Sequence, residues 1–223
     1  APTVTAANTS TFTPAITQAP DVATSQILPS PAPSLTPAPP TATPTPSCCT
    51  LPEGVFASIL RSDPALQAKL GCPMSLHPRV LAEAWKVQTS YQPFEHGAML
   101  WSNQFGWYSQ PIIYVLYDDS SFHSVFDTFN PDTEPASGNE TPPAGLFEPI
   151  LGFGKVWRQQ PGVRESLGWA TAAEVPGVGR FQTFGGTDMI WLSQRQETYI
   201  LMRGEKRYIV VNSPTFVLPT PTP

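Results

Sequence analysis

The side chains of this chain best suited to metal or nucleophilic chemistry are three histidines, His77, His96 and His123, and three cysteines, Cys48, Cys49 and Cys72. Their spacing shows no CxxC, no HExxH and no other paired ligand pattern, so no metal site is expected. A nucleophilic cysteine needs a positioned base. Cys72 stands in Leu70-Gly71-Cys72-Pro73, with no nucleophile motif around it. The pair Asp118-Asp119 could hold a cation or work as acid and base, but just ahead of Ser120-Ser121 it fits a polar hairpin turn better. No serine nucleophile elbow, phosphate loop or dinucleotide fingerprint occurs, so no cofactor is expected.

Aromatic groups offer a different chemistry. Trp107 and Tyr108 lie in a loop, Asn103-Gln-Phe-Gly-Trp-Tyr-Ser-Gln110, among polar neighbours. Flat rings beside amide and carboxylate side chains suit a sugar, which presents apolar C–H faces and hydroxyl edges together. Trp107, Tyr108, Trp169, Trp85 and Gln104 are therefore the candidate ligand-binding residues. Tyr and Trp also anchor protein interfaces, so the same loop fits a protein partner or plain packing.

The elements that must position these groups follow from an internal repeat. Pro52-Glu-Gly54-Val-Phe56-Ala-Ser-Ile59-Leu60 returns as Pro143-Ala-Gly145-Leu-Phe147-Glu-Pro-Ile150-Leu151. Arg61-Ser-Asp-Pro64-Ala-Leu66 through Leu70-Gly71 returns as Arg158-Gln-Gln-Pro161-Gly-Val163 through Leu167-Gly168, so Gly152–Trp157 reads as an insertion. Gln92-Pro-Phe94 through Met99-Leu-Trp101 returns as Gln182-Thr-Phe184 through Met189-Ile-Trp191, and Tyr114-Val-Leu116 as Tyr199-Ile-Leu201. Phe94, Met99 and Trp101, with Phe184, Met189 and Trp191, alternate across a hairpin and read as core. What the copies share is scaffold, so a specific site belongs where they differ.

Each copy opens with two short helices, over residues 54–60 and 64–70 in the first. Asp63 is a cap ahead of Pro64, and Gly71 is a stop. Four strands follow in each copy, at about 87–94, 98–101, 112–117 and 122–129, then at 180–184, 189–192, 198–202 and 208–212. Short β-rich runs split by Gly and polar turns indicate an antiparallel meander. The expected class is α+β: two tandem repeats, each with short helices followed by a four-stranded antiparallel β-meander, after a disordered Pro/Thr-rich stalk. The boundaries are a stalk at 1–47, one module at 48–129, a linker at 130–142, a second module at 143–213 and a Pro/Thr tail at 214–223. A disulfide from Cys49 or Cys48 to Cys72 would close a loop of about 24 residues and contribute roughly 3 kcal/mol. That pairing fits an oxidising exterior, with one cysteine left over.

Composition narrows the setting. Of 223 residues 28 are proline and only 13% are charged; residues 1–47 are mostly Pro, Thr, Ala and Ser, with Asp21 as their only charge. Such a stretch favours extended polyproline conformers and resembles the stalks of extracellular modules. With Lys plus Arg at 12 against 17 Asp plus Glu, and no basic run, nucleic acid is excluded as a partner. No window approaches the length of a spanning helix, so no membrane contact by this segment is expected. The chain starts within low-complexity sequence, from which an upstream signal or anchor is expected.

Leu70-Gly71-Cys72-Pro73 followed by Gln92-x-Phe94-x-x-Gly97-x-Met99-x-Trp101 resembles the LGFP repeats of bacterial cell-surface proteins, over about 30 residues in each copy. The second copy departs at Leu167-Gly168-Trp169-Ala170, which lacks the proline. The resemblance implies a wall-anchoring or surface-display role. Expected, then, is a non-catalytic, extracellular or cell-surface module that binds cell-envelope or environmental glycan. The alternative is a protein-interaction or sensory ectodomain that meets another surface protein. A hydrolase is the third reading, to be recognised by histidines and carboxylates gathered in one cleft.

Overall fold

The apolar runs Ile112–Leu116 and Tyr199–Met202 lack the polar alternation of a half-exposed strand, which implies strands covered on both faces. A computed structural model describes residues 54–74, 84–104 and 110–213. The segments expected as stalk and tail, together with Cys48, Cys49, His77, Trp107 and Tyr108, lie outside them. All described residues belong to the unit Ala42–Pro223.

The element order is α1 (Val55–Ser62), α2 (Pro64–Leu70), β1 (Trp85–Phe94), β2 (Gly97–Ser102), β3 (Ile112–Tyr117), β4 (Phe122–Phe126), α3 (Leu151–Gln159), α4 (Val163–Leu167), β5 (Val175–Thr183), β6 (Thr187–Leu192), β7 (Glu197–Met202) and β8 (Arg207–Asn212). The class is α+β, as expected. The eight strands form one antiparallel sheet in the order β4-β3-β2-β1-β5-β6-β7-β8, two meanders joined through their first strands.

The strand registers of the two halves correspond. Gln92 faces Met99 as Gln182 faces Met189, and Tyr114 faces Leu100 as Tyr199 faces Ile190. Carried to the joint between β1 and β5, this correspondence sets Gln88 against Val178, its own counterpart. The free edges meet in the same way: Ser121 bridges its counterpart Arg207, with Phe122 N donating to Lys206 O and Tyr208 N to Ser120 O. The strand registers of the two halves therefore match at both junctions, and the outer hairpins touch.

The concave face holds Ala98, Leu100, Ile112, Tyr114, Leu116, Phe181, Ile190, Leu192, Tyr199 and Leu201 in one buried cluster. The helices cover the opposite face, each pair on the half that it does not precede. Phe56, Ile59, Leu60, Leu66 and Leu70 pack on Phe184, Met189, Trp191 and Ile200. Phe153, Val156, Trp157, Val163 and Leu167 pack on Phe94, Met99, Ile113 and Val115. Backbone bonds fix the exchange: Met74 N donates to Thr183 O at 2.8 Å, and Thr171 N to Pro93 O at 2.9 Å. The buried glutamines of the Gln-x-Phe blocks add to it, with Gln182 Nε2 donating to Met74 O and Gln92 Nε2 to Ala172 O. The expected modules 48–129 and 143–213 thus have no separate cores.

The local signals hold in the first helix pair: Asp63 Oδ1 accepts from Leu66 N at 2.9 Å, and Gly71 has φ 72°. The second pair corrects the reading. The Pro143–Ile150 block is not helical, and α3 occupies the segment read as an insertion. Phe153 and Trp157 do in α3 what Phe56 and Leu60 do in α1. Residues 130–142 are tied to these helices by Glu134–Lys155 and Glu140–Arg164, and Glu148 pairs with Arg158.

Candidate functional site

Two corners of the sheet are counterparts, and each is built by three turns: a helix pair, the first hairpin and the last hairpin of a half. At one corner α4 meets the turn between β1 and β2 and the turn between β3 and β4. Gly97 begins β2 there with φ 144°, and a Cβ would lie 2.0 Å from Leu116 O, so only glycine lets the two hairpins come this close. His96 N donates to Leu167 O and Glu95 N to Trp169 O, both at 3.0 Å, while Asp118 N donates to His96 O at 3.3 Å. This framework surrounds an open cleft of about 630 Å³, lined by His96, Tyr117, Asp118, Asp119, Ser121 and His123, with Pro161, Gly162 and Ser166 of the α4 side opposite. That volume falls in the range of small-molecule sites.

Asp118-Asp119 forms the turn expected of it, and Ser121 N donates to Asp119 Oδ1 at 2.8 Å. Hydrogen bonding from Ser121, then the nearby Arg207, holds the Asp119 carboxyl below its usual value. Tyr117 Oη lies 3.2 Å from His123 Nδ1, with the rings 5.8 Å apart. Burial, then Lys206, holds His123 below its ordinary value, so its imidazole is neutral at neutral pH. Burial, then Asp119, pushes the Tyr117 phenol up. His96 Nδ1 stands 3.9 Å from Asp118 Oδ2, too far for a hydrogen bond, and both side chains are about two-thirds exposed, at 67% and 68%. The cleft thus offers an aromatic face, two carboxylates, two imidazoles and hydroxyls to an incoming polar molecule.

The counterpart corner is closed. Gly186 stands for His96 and Arg203 for Asp118; Arg203 N donates to Gly186 O at 2.9 Å, as Asp118 N does to His96 O. Arg203 turns inward to pair with Asp188, whose side chain is fully buried and also accepts from Thr183 Oγ1 at 2.9 Å. Burial holds the Asp188 carboxyl above its usual value against the opposing effect of Arg203. On the outside, Lys69 of α2 spans the corner to Glu205, with Nζ 2.8 Å from Oε1. In the open corner Ser166 stands where Lys69 does and Ala98 where Asp188 does.

Of the expected candidates, the described residues Trp85 and Gln104 lie apart from Trp169. Trp85 packs on Phe181 with the rings 6.1 Å apart, on the concave side at the start of β1. Gln104 lies beside that end, its carbonyl accepting from Ser102 Oγ. Trp169 lies past the other end of β1, roughly 30 Å along the strand, where its ring packs on Trp157 at 4.9 Å and under Arg164. Trp107 and Tyr108 lie outside the described residues. The disulfide expected at Cys72 would pair it with Cys48 or Cys49, which are outside the described residues. Among the described residues no group of three or more His, Cys, Asp or Glu could hold a metal ion, and no helix is long and apolar enough to cross a membrane.

His96, Tyr117 and His123 were missed as site residues because nothing adjacent in sequence marks them. The signal that finds them is their mismatch with Gly186, Met202 and Ile209 once the strand registers are aligned. Comparison of the chain with family models, curated proteins and solved structures found no match.

Proposed function

We propose that the chain is a non-catalytic glycan-binding module of a bacterial surface, built from two tandem copies of one helix-and-meander unit and carried on the Pro/Thr stretch at 1–47. The observation that supports this reading is the open cleft at His96, Tyr117, Asp118, Asp119, Ser121 and His123, at a corner that the other half closes with its own side chains. A ring flanked by carboxylate, imidazole and hydroxyl groups matches the alternating faces and edges of a sugar. A bond from Cys72 to Cys49 or Cys48 and the likeness to LGFP repeats accord with an extracellular setting. The test is co-sedimentation of the full chain with cell-wall sacculi, peptidoglycan, cellulose and chitin. One polymer should retain the chain, and Tyr117→Ala with His96→Ala should abolish retention. Retention lost on Trp107→Ala but unchanged in that double variant would move the site to the loop at 103–110.

The same cleft favours a second reading, a hydrolase, since it gathers two histidines and two carboxylates. Against it, Asp119 and His123 are engaged by Ser121 and Tyr117, and His96 and Asp118 stand in solvent rather than in the water-excluded site that tunes catalytic groups. Release of reducing ends from a retained polysaccharide, lost on His96→Ala, would establish it.

A further inference from the structure

We infer that the cleft selects glycans that carry a free amine, and that it receives that amine where the counterpart corner places the ammonium of Lys69. The inference rests on the glycan reading above and names the ligand's class. Its ground is the comparison of corners. At the closed corner a primary ammonium, Lys69 Nζ, reaches from the second turn of a helix pair to a carboxylate on the last hairpin, Glu205 Oε1, at 2.8 Å. At the open corner the helix contributes Ser166 in place of that lysine, and the hairpin contributes two carboxylates, Asp118 and Asp119. The hairpin therefore carries carboxylates at 118, where Arg203 stands in the closed corner, and at 119, beside the place of Glu205, while the helix no longer carries a cation, and the space between is the cleft.

The surrounding charges agree. Among the described residues no Lys or Arg lines the cleft. Lys206, acting on His123, and Arg207, acting on Asp119, stand behind its hairpin. Glu95 lies beside the α4 end, where its Oε2 accepts from Trp169 N. The Asp118 carboxylate is exposed, and its 3.9 Å separation from His96 is beyond hydrogen-bond distance, so it is open to an incoming cation. Tyr117 supplies a ring at the same wall, on which the body of an amino sugar can lie while its ammonium meets the carboxylates. A uronic acid or phosphorylated sugar would instead bring like charge against Asp118 and Asp119.

The experiment is a calorimetric titration of the full chain at pH 6 with four probes: deacetylated chito-oligosaccharide, its N-acetylated form, oligogalacturonate and oligolysine. The deacetylated probe should bind about tenfold or more tightly than the acetylated one, the ratio expected of one charge-assisted hydrogen bond. Asp118→Asn with Asp119→Asn should remove that ratio and leave binding of the acetylated probe. Ser166→Lys, which places an internal ammonium in the cleft, should lower affinity for the deacetylated probe alone. Asp118 and Asp119 lie in a surface turn and Ser166 is exposed on α4, so denaturation midpoints near wild type will show that the fold persists. Equal binding of the acetylated and deacetylated probes would overturn the inference while the glycan reading stood, and so would a preference for oligogalacturonate. Binding of none of the probes, with no polymer retained in the co-sedimentation assay, would overturn both. Binding of oligolysine alone would assign the amine to a peptide and overturn the glycan reading.

Discussion

The two corners differ in what closes them. In one half the corner is held by the molecule itself, through Asp188 with Arg203 inside and Lys69 with Glu205 outside. In the other half the corresponding positions are Ala98, Asp118, Ser166 and the turn at Asp119-Ser120, and the corner stays open. One backbone bond recurs at both corners, the amide of Asp118 or Arg203 reaching the carbonyl of His96 or Gly186. One corner supplies rigidity while the other keeps exposed polar groups, which a single unit could not do at one place.

The helix exchange beneath this comparison gives the largest expected effects. Trp157 is fully buried and its Nε1 donates to Gly168 O at 2.7 Å; Trp157→Ala should lower stability by about 4 kcal/mol. Its counterpart Leu60→Ala should cost about 3 kcal/mol. In chemical denaturation each should still give one transition for the whole sheet, because each helix pair covers the other half. Two separate transitions would break the account of exchanged helices.

Asp188→Ala leaves Arg203 without its buried partner and should destabilise by about 3 kcal/mol. Arg203 is one-third exposed and can turn to water, which keeps the loss at the low end. Placing the carboxylate in the other half by Ala98→Asp should also destabilise, since Ala98 is buried and no arginine stands at position 118. Adding Asp118→Arg should recover part of that loss. A double-mutant cycle measures the recovery, and additivity of the two changes would contradict the correspondence of the corners.

A smaller effect belongs to the open corner alone. The folded-state pKa of His123 is depressed by burial, so its contribution to stability is present above the ordinary value near 6.5 and is lost as pH falls through the depressed value. His123→Gln should flatten that part of the stability profile on the acid side, read from denaturation midpoints at stepped pH. The counterpart, Ile209, does not titrate. The smallest effect is that of Lys69→Ala, about 0.5 kcal/mol or less, because the Lys69–Glu205 pair is half-exposed. Loss of more than 1 kcal/mol would mean that the outer bridge, rather than Asp188, holds the closed corner.

Local chemistry was legible in the sequence where neighbours along the chain decide the outcome. Asp63 before Pro64, the turns at Gly185-Gly186 and Asp118-Asp119, and the burial of Met99, Met189 and Trp191 all follow from short-range pattern. Helix α3 did not follow, since alignment of the copies set Gly152–Trp157 aside as an insertion, although Gly152 and Gly154 lie within the helix. Both are needed for close approach: a Cβ on Gly154 would lie 2.3 Å from Pro149 O, and one on Gly152 2.7 Å from Asp127 Oδ2. The pairing of β1 with β5 and the crossing of the helices join residues some 80 to 110 positions apart, beyond the reach of periodicity. The cleft is harder still, because three turns supply it. Only the rule that a site lies where the halves differ leads to His96 and His123, and it needs the strand registers to be applied there.

The account turns on the open corner being the place where ligand binds. Backbone amide shifts of the full chain, followed by NMR as a retained oligosaccharide is added, test this most directly. The account predicts shifts at residues 95–97, 117–123 and 161–166, with residues 64–69 and 202–205 of the closed corner unmoved. Equal movement at both corners, or shifts confined to the strand end around Trp85 and Gln104, would contradict it.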